Sequence, residues 1–261
     1  KSTFTNRYLI GQLAKREIIG RYRGTSLGLA WSLINPLLML GVYTFVFGIV
    51  FQARWGVTSS DSKLEFALVL FAGLIINNLF AECVNRAPML VVLNANYVKK
   101  IVFPLEILPI VSACSALFHA AISTLVLVLA QLILKQSLPW TIILVPLLIA
   151  PLVIATTGLC WLLASLGVYL RDIVHLTALA TTILLFMSPV FYPISALPHQ
   201  LQPWLHVNPL TFFLEAGRGL LIFGQLPDPI VWACYWALSF VAAWLGFWWF
   251  QRTRKGFADV L

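Results

Sequence analysis

The residues of this chain that could do chemistry are few and widely spaced. Its nine carboxylates lie one at a time along 261 residues, with no Asp-x-Asp pair of the kind that holds a metal-bound nucleotide sugar. The metal-binding HExxH and the phosphate-binding GxxxxGK[ST] patterns are missing from the sequence. The sequence therefore gives no indication of a metalloprotease or a self-contained ATPase.

Histidine and cysteine also lack catalytic or metal-binding spacing. His119 is the one histidine in the middle of a long apolar stretch, and no acidic residue recurs beside it along the inner stretches. We therefore predict that the His119 ring packs in the interior with its nitrogens hydrogen-bonded, and that it does not act in a proton relay. Cys83, Cys114, Cys160 and Cys234 show no CxxC spacing and are predicted to be small core residues.

Long apolar stretches must position these residues. The chain is 61% hydrophobic and 10% charged, against roughly 25% charged in a soluble domain. Runs of about 20 apolar residues match the thickness of a bilayer, where the backbone must be helical. The sequence predicts an all-α integral membrane protein with six spans, near 30–51, 64–83, 107–134, 142–170, 173–192 and 230–250.

The basic residues indicate orientation. If the N-terminus is cytoplasmic, 13 of the 17 Lys and Arg residues fall on the cytoplasmic side. Both termini are then cytoplasmic. The net charge of +8 flanks the spans, which favours contact with membrane lipid and a cytoplasmic partner and not with nucleic acid.

Residues 1–261 are predicted to form a single transmembrane domain in which 1–29 form a cytoplasmic interface helix. Its apolar side would carry Phe4, Tyr8, Ile18, Ile19 and Tyr22. The alternative is a basic anchor with no further task. Gly24 and Gly28 follow in a GxxxG spacing, which favours close helix packing.

Two connections break the six-span pattern. Residues 84–104 are too short and mixed to span, so they predict one or two short helices that expose Asn94, Asn96 and Tyr97 to a partner; an ordinary interfacial loop is the alternative. Residues 193–229 contain the apolar stretch 210–223, which predicts external re-entrant helices. Glu215 and Arg218 are predicted to pair there, with a small structural contribution.

Aromatic residues make up 13% of the chain. Flat apolar faces with a polar edge let a sugar chain slide past, although lipid anchoring and packing explain many such residues as well. The predicted channel aromatics are Tyr43, Phe47, Phe51, Phe186, Phe191, Tyr192, Phe212 and Phe213.

Five motifs occur in order along the chain: RYRGTSLGLAWSLINPLLML, NRAPMLVVLNANYVKKIVFPLEILP, VYLRDI, PVFYPISALP and NPLTFFLEAGRGLL. With the six-span frame, they resemble the permease subunit of ABC-2 type polysaccharide exporters, which move O-antigen, capsule or teichoic-acid polymers. The resemblance covers nearly the full chain. It implies the ABC-2, or type V exporter, permease fold in a bacterial cytoplasmic (inner) membrane.

The resemblance also implies partners. These are a second copy of the chain in a homodimer, two cytoplasmic ABC ATPase subunits that bind ATP and Mg, and a lipid-pyrophosphate-linked polysaccharide. This chain itself would then carry no cofactor and no enzymatic activity.

Site residues follow from the same resemblance. The substrate entrance for the pyrophosphate would comprise Arg16, Arg21, Tyr22 and Arg23. The ATPase-coupling residues would be Asn94, Asn96, Tyr97, Lys99, Lys100, Arg171 and Asp172. Two other functions stay open, an ABC-2 exporter of a lipid or small amphiphile and a membrane glycosyltransferase.

Overall fold

A computed structural model describes residues 6–50, 63–99, 103–200 and 202–261, and every regular element among them is helical. The α-helices are α1 (Arg7–Tyr22), α2 (Trp31–Tyr43), α3 (Lys63–Arg86), α4 (Ala95–Lys99), α5 (Ile107–Lys135), α6 (Val145–Tyr169), α7 (Ile173–Met187), α8 (Gln202–Val207), α9 (Pro209–Arg218), α10 (Pro229–Thr253) and α11 (Phe257–Val260).

Five helical stretches of the described chain are long and apolar enough to cross a membrane, and they agree with five of the six predicted spans. Shorter helical turns extend several of them beyond the α-helices. The stretches are Gly28–Phe47, Glu65–Met89, Ile107–Lys135, Trp140–Tyr169 and Pro229–Val260.

The predicted span over 173–192 is shorter than expected. Helix α7 has 15 residues, which is about 22 Å of helix against a hydrocarbon core of roughly 30 Å. It ends at Met187, and Ser188 is extended with a ψ of 151°, because the following proline disfavours the helical conformation there. A helix at this position is confirmed and its predicted length is wrong; a sixth crossing stays a prediction.

Helix α3 is the centre of the bundle. In its apolar stretch, 78% of the residues are buried inside the chain, and α5, α6, α7 and α9 pack around it. By contrast, only 6% of the stretch containing α2 and 11% of that containing α10 are buried. These two helices therefore present large apolar surfaces to lipid or to another copy of the chain.

Helices α6 and α10 pack with their backbones nearly in contact. A Cβ at Gly246 would lie 1.9 Å from the carbonyl oxygen of Gly158, and a Cβ at Gly158 would lie 2.5 Å from that of Ala242. Only glycine permits this approach, as in other membrane helix pairs.

A helix in the N-terminal segment is confirmed as α1, and its place at the cytoplasmic interface stays a prediction. Ile10, Leu13 and Ala14 are buried and pack on α5, whereas Tyr8, on the predicted apolar side, is 77% exposed and faces away from the bundle. The expected packing role of Gly24 and Gly28 is wrong. Both have positive φ, 86° and 51°, and nothing lies within 4 Å of a Cβ at either, so they form the turn that joins α1 to α2.

The two irregular connections are helical, as predicted. Residues 84–104 contain the end of α3, the short turns Ala87–Met89 and Val92–Asn94, and α4. Residues 193–229 contain α8, α9 and the π-helical turn Gly219–Phe223. The re-entrant depth of the second connection stays a prediction.

Candidate functional site

Charged residues from three helices meet at the end of the bundle that carries α1. Arg21, in the last turn of α1, places Nη2 2.8 Å from Oε1 of Glu82 on α3. The side chain of Glu82 is 18% exposed, so this ion pair is partly shielded from solvent. Its position follows from the packing of α1 on α5, next to α3.

The ring of His119, on α5, lies between these two groups. Its Nδ1 is 2.8 Å from Arg21 Nη1 and 3.2 Å from Glu82 Oε1, and its Nε2 is 3.2 Å from the Tyr22 hydroxyl. A neutral ring accepts at Nδ1 from Arg21, whereas a charged ring donates at Nδ1 to Glu82. His119 is hydrogen-bonded, as predicted, and the expectation that it lacks an acidic partner is wrong.

A second ion pair extends the group. Arg86 Nη2 lies 2.6 Å from Glu17 Oε1, and Arg86 Nη1 lies 3.6 Å from Glu82 Oε1. Burial raises the pKa of the Glu17 carboxyl, although Arg86 and Arg21 act in the opposite direction. We refer to Glu17, Arg21, Glu82, Arg86 and His119 as the charge cluster. With a neutral histidine, its two cations and two anions balance.

One hydrogen bond connects α1 to the 84–104 connection. Arg16 Nη2 donates to the Tyr97 hydroxyl at 3.1 Å, and the Tyr97 ring stacks on Phe103 with centroids 4.4 Å apart. A residue of the predicted entrance and a residue of the predicted coupling segment are therefore in direct contact.

The other predicted entrance and coupling residues are dispersed. Arg23 is exposed just beyond α1, and Asn96 is exposed on α4. The Asn94 side chain donates to the Leu90 carbonyl at 2.8 Å. Arg171 and Asp172 are exposed at the turn between α6 and α7, and α7 lies against the turn Ala87–Met89. Lys99 ends α4, and Lys100 lies outside the described residues.

A polar cavity of about 420 Å³ opens beside the charge cluster, between α2, α3 and α5. Its lining includes the charge-cluster residues Arg21, Glu82 and His119. Further polar and aromatic side chains follow along the spans: Tyr22, Ser32, Asn35, Tyr43, Phe71, Asn78, Asn85 and Ser123. A cavity of this size and polarity between apolar helices is typical of a binding site or a conduction path.

The predicted channel aromatics fall into separate groups. Phe47 stacks on Phe191 at 6.1 Å, and Phe186 stacks on Phe191 at 5.8 Å. The Tyr192 hydroxyl donates to the Phe186 carbonyl at 3.0 Å. Tyr43 lines the polar cavity. Phe51 lies outside the described residues.

Phe212 and Phe213 form another group with Tyr235 of α10. Phe212 stacks on Tyr235 with centroids 4.3 Å apart, and Phe213 meets the same ring edge-on at 5.2 Å. Phe213 is only 3% exposed and packs in the core. It therefore does not line an open path in this arrangement, contrary to expectation.

Comparison with known proteins agrees with this architecture. Residues 8–222 match the model of the family described as ABC-2 type transporter. The chain belongs to the ABC-2 type transporter family.

Two relatives extend the match over nearly the whole ABC-2 chain. The O-antigen export system permease protein RfbA of Myxococcus xanthus is 25% identical over 261 residues, which cover 99% of this chain and 97% of the relative. A protein of the same name from Klebsiella pneumoniae is 24% identical over 255 residues, or 97% and 95% of the two chains. The chain is thus a multi-pass ABC-2 membrane subunit of the bacterial inner membrane.

Sequence reasoning missed most of the charge cluster of this ABC-2 subunit. Glu17, Glu82 and Arg86 were scattered charges in the sequence, and they meet only when α1 packs beside α3. One local signal was available, because Glu82 and Arg86 are separated by four residues on a helix and share a face. A carboxylate within an apolar span is itself an indication of function.

Proposed function

We propose that this chain is the transmembrane subunit of an ATP-driven exporter that moves an O-antigen-like, lipid-linked polysaccharide across the cytoplasmic membrane. The full-length similarity to relatives named O-antigen export permeases carries the proposal. A polar cavity between apolar helices, with the Arg21 guanidinium at one end, agrees with a substrate that has a sugar part and an anionic part.

The charge cluster suits the recognition of a pyrophosphate. Guanidinium groups bind phosphate oxygens in a fixed, often bidentate geometry. Arg21 is 40% exposed and lines the polar cavity, so it remains accessible to a ligand there while paired with Glu82. A pyrophosphate must compete with Glu82 for Arg21, and that exchange would favour a doubly charged head group over weaker anions.

Energy would come from two ATPase subunits that bind ATP and Mg beneath a homodimer of this chain. Both termini, α1 and the 84–104 connection would be cytoplasmic, as the Lys and Arg distribution favours. Pressure on the 84–104 connection would reach α1 through the Arg16–Tyr97 hydrogen bond, and α1 carries Arg21. The same helix, α1, would thus respond to ATPase motion and contact the head group.

Homodimerisation gives the uncovered helices a partner. The stretch containing α2 is only 6% buried and exposes Leu33, Leu37 and Val42, among other large apolar side chains. A second copy would cover part of this surface and enclose the polymer path.

An export assay tests the proposal. A strain without the chromosomal gene is complemented with wild type, Arg21→Ala or Arg7→Ala, and surface polymer is measured by immunoblot. Arg7 is an exposed arginine on the same helix, at its far end, so its variant controls for loss of positive charge. We expect export to fall at least about tenfold for Arg21→Ala, while Arg7→Ala resembles wild type.

Two further measurements make the assay decisive. Co-purification of the ATPase must be unchanged in both variants, and lipid-linked glycan should accumulate on the cytoplasmic side of the deletion strain. Normal export by Arg21→Ala would contradict the proposed role of Arg21 in binding the pyrophosphate at the entrance. Unchanged surface polymer in the deletion strain would contradict the polysaccharide function and favour export of a lipid or small amphiphile.

A further inference from the structure

The open face of α3 is polar where a lipid-facing helix would be apolar. Between Phe66 and Arg86, the two exposed side chains among those described on α3 are Asn78 and Asn85, with Glu82 partly exposed between them. The spacing of four and then three residues puts all three on one helix face. Elsewhere, α2 and α10 expose leucine, tryptophan and valine. The amide face therefore suits contact with water or a polar ligand and not with lipid tails.

This face is a wall of the polar cavity, and α2 and α5 supply further polar groups. Asn35 is exposed on α2, and Ser123 lines the cavity from α5. Within the described part of the chain, the amides of Asn35 and Asn78 are not hydrogen-bonded to another residue. Each amide offers two donors and an acceptor oxygen to a ligand.

Polar groups change in kind along α3. From the end nearest α1, the order is the cation Arg86, the amide Asn85, the anion Glu82 and then the amide Asn78, and the last three line the cavity. Asn78 lies about 6 Å beyond Glu82 and about 12 Å beyond Arg86 along the helix axis, at 1.5 Å per residue. The charged end suits a phosphate, and the uncharged end suits a neutral group that both donates and accepts hydrogen bonds.

Aromatic rings complete the uncharged end. Tyr43 and Phe71 line the cavity, and an aromatic face packs well on the C–H face of a sugar ring. Amides, a carboxylate and aromatic rings together are the groups that bind pyranose hydroxyls and C–H faces. The volume of about 420 Å³ is that of a small-ligand site, not of a tunnel for a long polymer.

We propose that the polar cavity binds the sugar attached to the pyrophosphate of the lipid carrier, with Asn78 and Asn35 as the hydrogen-bonding residues that select it. This inference rests on the proposed function. It adds that the subunit distinguishes a glycosylated carrier from a bare carrier before transport begins. The charge cluster supplies affinity for the head group, and the amides supply selectivity for the sugar.

Binding to the purified complex of this chain with its ATPase tests the proposal. The two probes are a short-chain polyprenyl pyrophosphate and the same molecule with one N-acetylhexosamine on its distal phosphate. We expect wild type to bind the glycosylated probe about tenfold more tightly. Asn78→Leu and Asn35→Leu should reduce this preference to less than about threefold and leave the affinity for the bare probe within about twofold.

Leucine has the same number of side-chain heavy atoms as asparagine and is a better helix former, and both asparagines are exposed, so neither variant should disturb the fold. Since the two residues lie on different helices, a folding defect in one leaves the other informative. Thr124→Val is the matched control, because Thr124 lies one residue beyond Ser123 but lines an apolar groove between α5 and α6. It should keep the full preference.

The outcomes separate this inference from the proposed function. Two results would overturn the proposed sugar site and leave the pyrophosphate entrance unaffected. They are equal affinity of wild type for the two probes, and an unchanged preference for the glycosylated probe in both leucine variants. Arg21→Ala should lower the affinity for both probes by the same factor. Failure of wild type to bind either probe would overturn the entrance and the sugar site together.

Discussion

Arg218 provides the sharpest test of how the 193–229 connection is held to the bundle. Its side chain is 1% exposed, at the end of α9. Nε donates to the Val69 carbonyl at 3.1 Å, Nη1 to the Pro189 carbonyl at 2.5 Å, and Nη2 to the Val190 carbonyl at 2.7 Å. One guanidinium therefore joins α9 to the first half of α3 and to the extended chain after α7. The sequence predicted only a minor pairing with Glu215.

The substitution Arg218→Met keeps the length of the side chain and removes its donors. Three buried carbonyls then lose a charged partner, at about 1.5 kcal/mol for each hydrogen bond. Removing one member of a buried charged network costs about 3–5 kcal/mol overall, which agrees with that sum. At roughly 2–4 °C per kcal/mol, the expected fall in Tm is about 6–20 °C.

Thermal unfolding of the purified protein in detergent, followed by size-exclusion fluorescence, measures this change. Arg218→Lys keeps the charge with fewer well-directed donors and should lie between wild type and Arg218→Met. Glu215→Gln is the control, because Glu215 is 43% exposed and its ion pair with Arg218 is largely screened by solvent. If Arg218→Met and Glu215→Gln have the same Tm, the guanidinium does not hold the 193–229 connection to the bundle and the reasoning is refuted.

Three further predictions concern other parts of the chain. Burial raises the pKa of Glu17, so the folded state disfavours the ionised carboxylate and the protein loses stability as pH rises above the ordinary carboxyl range. Tm measured from pH 4 to 7 should therefore decline in wild type, and Glu17→Gln should make that decline smaller. Tyr97→Phe removes the hydrogen bond from Arg16 but keeps the ring, so transport per ATP hydrolysed should fall by a factor of about two to ten while Tm changes little. An unchanged ratio of transport to ATP hydrolysis would argue against coupling through the Arg16–Tyr97 hydrogen bond. Gly246→Ala should destabilise the chain by at least about 1–3 kcal/mol through collision with α6, whereas Gly41→Ala, which meets nothing within 4 Å, should not; equal Tm values for the two would disprove the close contact.

The sequence was sufficient for the elements that depend on local composition. Five apolar stretches, the short helices of residues 84–104 and the helices of 193–229 were all predicted, since lipid leaves the backbone few alternatives to a helix. The early end of α7 was visible only as Pro189, whose effect on the preceding residue is a tendency and not a rule. Gly24 and Gly28 fitted a packing motif by spacing, while their positive φ angles depend on the path of the chain between α1 and α2.

The site was harder to predict because its residues are distant in sequence. Arg21 and His119 are 98 positions apart, and Arg16 and Tyr97 are 81 positions apart. Hydrophobic periodicity does not show which residues of different helices meet. The polar cavity likewise became visible only when the exposed side of α3 proved to carry amides, although Asn78 was present in an otherwise apolar span from the start.

The glycine contact between α6 and α10 has a mechanical consequence. Two helices whose backbones touch at Gly158 and Gly246 have no side-chain layer through which to slide or tilt. We therefore expect them to move together when the subunit changes shape. Glycines in the left-handed region form the turn between α1 and α2, and α2 is scarcely covered. We therefore expect deformation during a transport cycle to be concentrated in α1 and α2, with α6 and α10 as the less mobile part.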